Sequence, residues 1–123
     1  MNKLLQLKIS LIVAGVMALP VAYAANITKA DYSAGKSRIS ADYSTDKAAC
    51  AALKSNAKDV CVEEAKAKEK IAKAELEFAY TGKSADANKV LVAKAKAAYS
   101  VAKEKCDDQA GNAKDVCVKE AKA

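Results

Sequence analysis

The sequence contains no histidine and no tryptophan, and it has only one phenylalanine and one proline. Histidine is the usual base beside a catalytic serine or cysteine and a frequent zinc ligand, so its absence removes the commonest hydrolase and zinc-site chemistries. No C-x-x-C pair is present, and that spacing is typical of thiol redox enzymes and of paired zinc ligands. We therefore predict that the protein is not an enzyme and that it uses no metal or other cofactor.

Large aliphatic side chains are also scarce. Residues 25–123 contain 25 alanines but only 14 valine, isoleucine, leucine or phenylalanine residues. Lysine and arginine are interspersed with acids, with 19 basic and 15 acidic side chains in the same segment. Because alanine, lysine and glutamate favour helix, this composition predicts long helices around a thin core that needs covalent reinforcement.

The N-terminus has the pattern of an export signal. Two lysines accompany an apolar run over residues 9–19, and the small-residue motif Ala22-Tyr23-Ala24 follows it. The run is too short to span a bilayer, which argues against a membrane anchor. We predict that residues 1–24 are a signal peptide cleaved between Ala24 and Ala25, and that the mature protein resides in the periplasm without stable membrane insertion.

One stretch of the chain occurs twice, at an offset of 56 residues. The heptapeptide Asn-Ala-Lys-Asp-Val-Cys-Val is identical at 56–62 and 112–118, and in each copy a second cysteine lies eleven positions upstream. An even number of cysteines in an exported chain predicts disulfides. We place the two Cys-x10-Cys repeats at about 41–80 and 97–123, within a single helical domain of residues 25–123.

A helix is predicted to begin between the two cysteines of each copy. Asn56 and Asn112 are predicted N-caps, because each is followed three residues later by an aspartate that favours the positive end of a helix. Gly111 is suited to a left-handed end of the preceding helix, and Ser55 is its weaker counterpart. Each copy therefore reads as helix, tight turn, helix.

Two disulfide connectivities fit this pattern. In an antiparallel hairpin, Cys50 faces Cys61 and Cys106 faces Cys117, which gives two local bridges. If each stretch were instead one continuous helix, cysteines eleven apart would share a face, and a fold near residues 81–84 would pair Cys50 with Cys117 and Cys61 with Cys106. The capping residues favour the local pairs, but four cysteines allow three connectivities and the sequence does not settle among them.

Periodicity and capping signals predict an all-α fold of antiparallel helical hairpins, with three to four helices clamped by two disulfides. The first helix starts at a Thr28-x-x-Asp31 capping box and is weakened by Gly35. The predicted bounds are about Thr28 to Lys54, Ala57 to Tyr80, Ala87 to Ala110, and Ala113 onward, with a connector at Thr81–Asp86.

The third predicted helix has an apolar face that we expect to point inward. Its members are Leu91, Val92, Ala95, Tyr99, Ala102 and Cys106. Tyrosines 32, 43, 80 and 99 also lie at helical spacing, which favours packing between helices over stacking on bases. Acids interleave with the lysines, so we expect no nucleic-acid partner.

The Ala/Lys/Glu-rich run at 64–75 resembles the helical spacer of the envelope protein TolA. The Cys-x10-Cys repeat with Asn-Ala-Lys-Asp-Val-Cys is similar to repeats in small exported, cysteine-stapled helical bacterial proteins, some of them labelled TolA-like. The resemblance implies a periplasmic address, no established activity and no functional residues to carry over. We expect a non-enzymatic structural, interaction or stress-related envelope protein; the alternative is a weak binder of anionic surfaces or polyanions through its lysines. Expected partners are an envelope protein or an anionic envelope component, with self-association as a further hypothesis.

Overall fold

The computed structural model describes residues 26–123, so the predicted signal peptide and its cleavage site between Ala24 and Ala25 lie outside the described residues. Over this range the chain is helical apart from short turns, and it contains no strand. The predicted all-α fold is therefore confirmed. The helices are α1 (Lys29–Ala49), α2 (Ser55–Thr81), α3 (Ser84–Lys105) and α4 (Gly111–Lys122).

Consecutive helices fold back on one another through short connections and form hairpins. α1 packs along α2, α2 packs along α3, and the short α4 packs on α3. Among residues 26–123, the buried apolar residues are two cysteines, three alanines and one valine: Cys50, Ala65, Ala67, Val90, Ala97 and Cys106. Within the same range, the largest side chains that solvent does not reach at all are the two cysteines. This interior is as thin as the composition predicts.

The start of α1 is the capping box that the sequence predicts. Thr28 is the N-cap, and its hydroxyl oxygen accepts a hydrogen bond of 3.1 Å from the backbone N–H of Asp31. The helix runs without interruption through Gly35, which was expected to weaken it. It ends at Ala49, earlier than predicted, and continues into a 3-10 turn at Cys50–Ala52.

The junctions inside the two hairpins correct the predicted N-caps. α2 begins at Ser55 with Lys54 as its N-cap, and α4 begins at Gly111 with Ala110 as its N-cap. Asn56 and Asn112 lie inside these helices, so they do not have the predicted N-cap role. The side chains of the actual N-caps make no capping hydrogen bond.

The physical reason for this correction is the left-handed residue at each junction. Ser55 has φ 51° and Gly111 has φ 56°. The left-handed conformation therefore occurs at the two predicted positions. Its role differs from the prediction, because each of these residues begins the second helix instead of ending the first. The first helix of each hairpin ends in a 3-10 turn, closed by hydrogen bonds of 3.1 Å from Leu53 N–H to the Cys50 carbonyl and 3.0 Å from Gln109 N–H to the Cys106 carbonyl.

The connection between α2 and α3 is shorter than the predicted Thr81–Asp86 connector. It consists of Gly82, with φ 64°, and Lys83. Asp86 is instead a buried residue in the first turn of α3, where it accepts a 2.5 Å hydrogen bond from the Thr81 hydroxyl. This bond ties the last residue of α2 to the first turn of α3.

The predicted inward face of α3 is wrong over its N-terminal half. Leu91 is 67% exposed, Val92 is 50% exposed and Ala95 is exposed, whereas Val90 and Ala97 are buried against α2. Further along, Tyr99 and Ala102 are half-buried and Cys106 is buried, as predicted. The reason is that α4 spans 12 residues and α2 spans 27, so α4 does not extend over the first half of α3.

Candidate functional site

The four cysteines form the two local disulfides, Cys50–Cys61 and Cys106–Cys117, each with 5.7 Å between its Cα atoms. The alternative pairing across the two hairpins is not formed, because the chain turns between the cysteines of each pair, at Ser55 and at Gly111. No cysteine of the described chain is a free thiol. These residues therefore hold the hairpin junctions together and are not reactive groups in this structure.

A groove runs between α2 and α3 and encloses about 500 Å³. Its floor is made of the small side chains Ala67, Ala93 and Ala97, which let the two helices approach closely. Val92 forms one apolar edge. The charged side chains around the groove are three lysines and one acid: Lys70, Lys89, Lys96 and Glu63.

An exposed apolar strip adjoins this groove along α3. We define the α3 stripe as Asn88, Leu91, Val92, Ala95 and Tyr99, whose spacing places them along one side of the helix. Asn88 and Val92 also line the groove, so the two features form one continuous surface. Only Tyr99 of the stripe is partly covered; the other four members are exposed.

The charge that α3 contributes to this surface is positive. Residues 87–103 of α3 contain four lysines and no acid. Lys89 pairs with Asp86 at 2.7 Å and Lys94 pairs with Glu75 at 2.8 Å. Among residues 26–123, Lys96 and Lys103 have no ion-pair partner. Lys70 of α2, which lines the groove, also has no ion pair within these residues, so three cations are available to an incoming anionic group.

The Asp86–Lys89 pair stabilises its own charged state. The hydrogen bond from Lys89, followed by the one from Thr81, lowers the pKa of Asp86 below its ordinary value. The hydrogen bond to Asp86 raises the pKa of Lys89 in turn. This end of the surface therefore keeps its lysine positive and its carboxylate negative across the neutral range.

Two of the tyrosines, Tyr32 and Tyr80, are engaged with each other away from this surface. The Tyr32 and Tyr80 rings stack across α1 and α2 with centroids 4.5 Å apart, as their helical spacing predicts. The Tyr32 hydroxyl donates a 2.5 Å hydrogen bond to Glu77, which is the main cause of its raised pKa. Lys36 lies 4.7 Å above the Tyr32 ring. This cluster holds α1 to the end of α2 and leaves no open aromatic platform there.

The surface supplies mainly apolar area and positive charge. Its members are alanines, valine, leucine, tyrosine, asparagine and lysines, together with Glu63 and Ser100. Within the part of the chain that the structure describes, no three His, Cys, Asp or Glu side chains come together in a group that could hold a metal ion. Likewise, none of the helices described is long and apolar enough to cross a membrane.

Sequence reasoning missed this surface because it assigned Leu91 and Val92 to the core. No local signal indicated otherwise, because the apolar spacing of a helix is the same whether or not a neighbouring helix covers that side. The groove floor was harder to foresee, because alanines are spread evenly over every helix.

No protein-family model, no curated protein and no solved structure matches this chain. What the fold defines is an all-α protein built from two disulfide-clamped helical hairpins. Its function must be argued from the surface that those hairpins present.

Proposed function

We propose that this is a non-enzymatic protein of the bacterial periplasm that acts by direct contact with other envelope molecules, through the groove and the α3 stripe. The observation that carries the proposal is the exposure of Leu91 and Val92, at 67% and 50%. Single exposed apolar residues are ordinary, but these two are adjacent and adjoin an apolar groove. In a chain with so few large aliphatic residues, their position outside the core favours a role in contact.

Three features support the periplasm as the compartment. Disulfides persist in oxidising environments, and both hairpins are closed by one. The N-terminal sequence has the pattern of an export signal, and the TolA-like character of the helices fits an envelope protein. Together they support the periplasm as the place where the contact is made.

Site-specific photo-crosslinking in intact cells tests the contact. A photoreactive amino acid at Ala95, in the exposed stripe, is expected to capture an envelope molecule. The same group at Ala41, an exposed position of α1, serves as the control. We expect a Val92→Glu substitution to abolish the crosslink from position 95, and Val116→Glu, at an equally exposed valine of α4, to leave it unchanged. Identical crosslinks from positions 95 and 41 would refute the proposal.

A second candidate function has its own observation. The four lysines and no acids over residues 87–103 suit a weak binder of anionic surfaces or polyanions. The affinity of such binding falls steeply as salt concentration rises. Binding releases counterions from the polyanion, and this release is less favourable when the solution already contains more salt. A salt titration of binding to anionic vesicles and to DNA separates the candidates. Absence of association at low salt eliminates this second function and leaves the first untouched.

A further inference from the structure

The two hairpins are built alike, but in the described residues the second helix covers the first to a different extent in each. At the 56-residue offset, Tyr32 and Gly35 of α1 correspond to Asn88 and Leu91 of α3. In the first hairpin these positions face α2: the Tyr32 ring stacks on Tyr80, and Leu76 lies against Gly35. The next members on α1, Ile39 and Tyr43, are half-buried. The second half of α2 thus covers this side of α1.

In the second hairpin the corresponding side of α3 is open. α4 (Gly111–Lys122) corresponds to residues 55–66 of α2, and within residues 26–123 no segment lies on α3 as the part of α2 that carries Leu76 and Tyr80 lies on α1. Cys106 and Ala102, which are covered, lie on the same side of α3 as Tyr99, Ala95 and Leu91. The α3 stripe is therefore an uncovered continuation of the α3–α4 interface, and its shape suits another helix.

Charge selects among the occupants of this site. Lys96 and Lys103 follow Val92 and Tyr99 by four residues, so they flank the stripe, and both lack an ion pair within the described residues. A second copy placed with its own α3 stripe on this one would bring lysines against lysines. A bilayer would require bulky apolar side chains to enter the acyl region, and Leu91 and Val92 are the only exposed bulky apolar members of the stripe.

We propose that the α3 stripe binds an acidic amphipathic helix of another protein, antiparallel to α3, in the place that the second half of α2 takes on α1. The helix buries Leu91 and Val92, and its acids pair with Lys96 and Lys103. This inference rests on the proposed contact function and specifies the kind of partner.

The probe is a synthetic, fluorescently labelled peptide with the sequence of residues 68–81, in which glutamate replaces Lys68, Lys70 and Lys73. Fluorescence anisotropy with the purified, oxidised protein is expected to show saturable binding. The peptide with its lysines retained is expected to bind more weakly, because it lacks the added acids.

The matched variants are Val92→Gln and Val116→Gln, which change equally exposed valines to a neutral side chain of good helix propensity. We expect Val92→Gln to weaken peptide binding roughly fivefold through lost apolar burial, and Val116→Gln to have no effect. Lys96→Gln with Lys103→Gln is expected to weaken binding and to reduce its dependence on salt.

Two results overturn this inference. One is an acidic peptide that does not bind, or that binds Val92→Gln as well as the unchanged protein. The other is displacement of the peptide by vesicles containing phosphatidylglycerol, with vesicle binding also lost in Val92→Gln, because the occupant is then a membrane surface. Neither result removes the contact function itself, which fails if the crosslinks from positions 95 and 41 are identical or if crosslinking from Ala95 in cells does not depend on Val92.

Discussion

Leu76 of α2 lies directly on Gly35 of α1, so closely that a Cβ atom at position 35 would be 2.7 Å from the Cδ1 atom of Leu76. α1 is continuous across this point despite the low helix propensity of glycine. The glycine is therefore explained by the approach of the two helices. It gives α1 and α2 a tight contact in a hairpin that buries few large side chains.

A larger side chain at position 35 should force the helices apart. We expect Gly35→Leu to lower the free energy of unfolding by about 1–3 kcal/mol, the usual range for overpacking, even though leucine favours helix. Ala34→Leu is the control, because the neighbouring position is exposed and gains the same side chain without a clash. Urea unfolding followed by circular dichroism measures both. Equal stability of the two variants would contradict the packing described.

Ser55 and Gly111 hold the same left-handed conformation, but only glycine adopts it without steric penalty. We expect Ser55→Gly to raise the free energy of unfolding by about 0.5–1 kcal/mol. Gly111→Ala should lower it by about 1 kcal/mol, and through the backbone alone, because a Cβ at Gly111 would meet no atom within 4 Å. Thermal melts of both variants should therefore shift in opposite directions. A shift of the same sign in both would argue against left-handed junctions.

Asp86 makes the stability of the α2–α3 hairpin depend on acid pH. Its pKa is lowered in the folded protein by Lys89 and Thr81, so its contribution is present above its ordinary pKa of about 4 and is lost as pH falls through the folded value. We expect Asp86→Asn to be less stable than the unchanged protein at neutral pH, with the difference shrinking as pH falls below about 4. Urea unfolding at several pH values gives this difference. A difference that stayed constant from neutral to acid pH would contradict this dependence.

The local signals of the sequence predicted local structure well. The Thr28 capping box, the helical character of each segment and the disulfide pairs Cys50–Cys61 and Cys106–Cys117 all follow from residues close together in the chain. The capping residues of the junctions placed the start of the second helix two positions too late in each hairpin. The reason is that a left-handed Ser55 or Gly111 can begin a helix as readily as end one. Which residue takes that turn depends on the whole junction and not on the best capping side chain.

The candidate surface depended on information that periodicity does not contain. The apolar spacing of α3 correctly indicates one side of a helix, but it does not say whether a neighbour is long enough to cover that side. Leu91 was assigned to the core for this reason, and it is 67% exposed. Comparison of the two copies supplies the missing step, since Gly35 is covered by α2 and Leu91 has no such cover from α4.

The disulfides should differ in what they hold. No residue of α4 is buried, and a helix of 12 residues is marginal by itself in water. α2, in contrast, has 27 residues and packs against both α1 and α3. Each bridge closes a loop of similar length and should stabilise its junction by about 2–3 kcal/mol in the chain-entropy model. The consequence of losing one bridge is therefore set by the packing that remains.

We expect replacement of Cys106 and Cys117 by serine to release α4 while α1 to α3 stay folded. Amide hydrogen exchange should then show loss of protection confined to residues 111–122. Replacement of Cys50 and Cys61 by serine is the matched comparison, and it should lower the global melting temperature while α2 keeps its protection until the protein unfolds. If α4 remained protected without its bridge, packing on α3 alone would hold it, and the dependence of this thin fold on its disulfides would be contradicted.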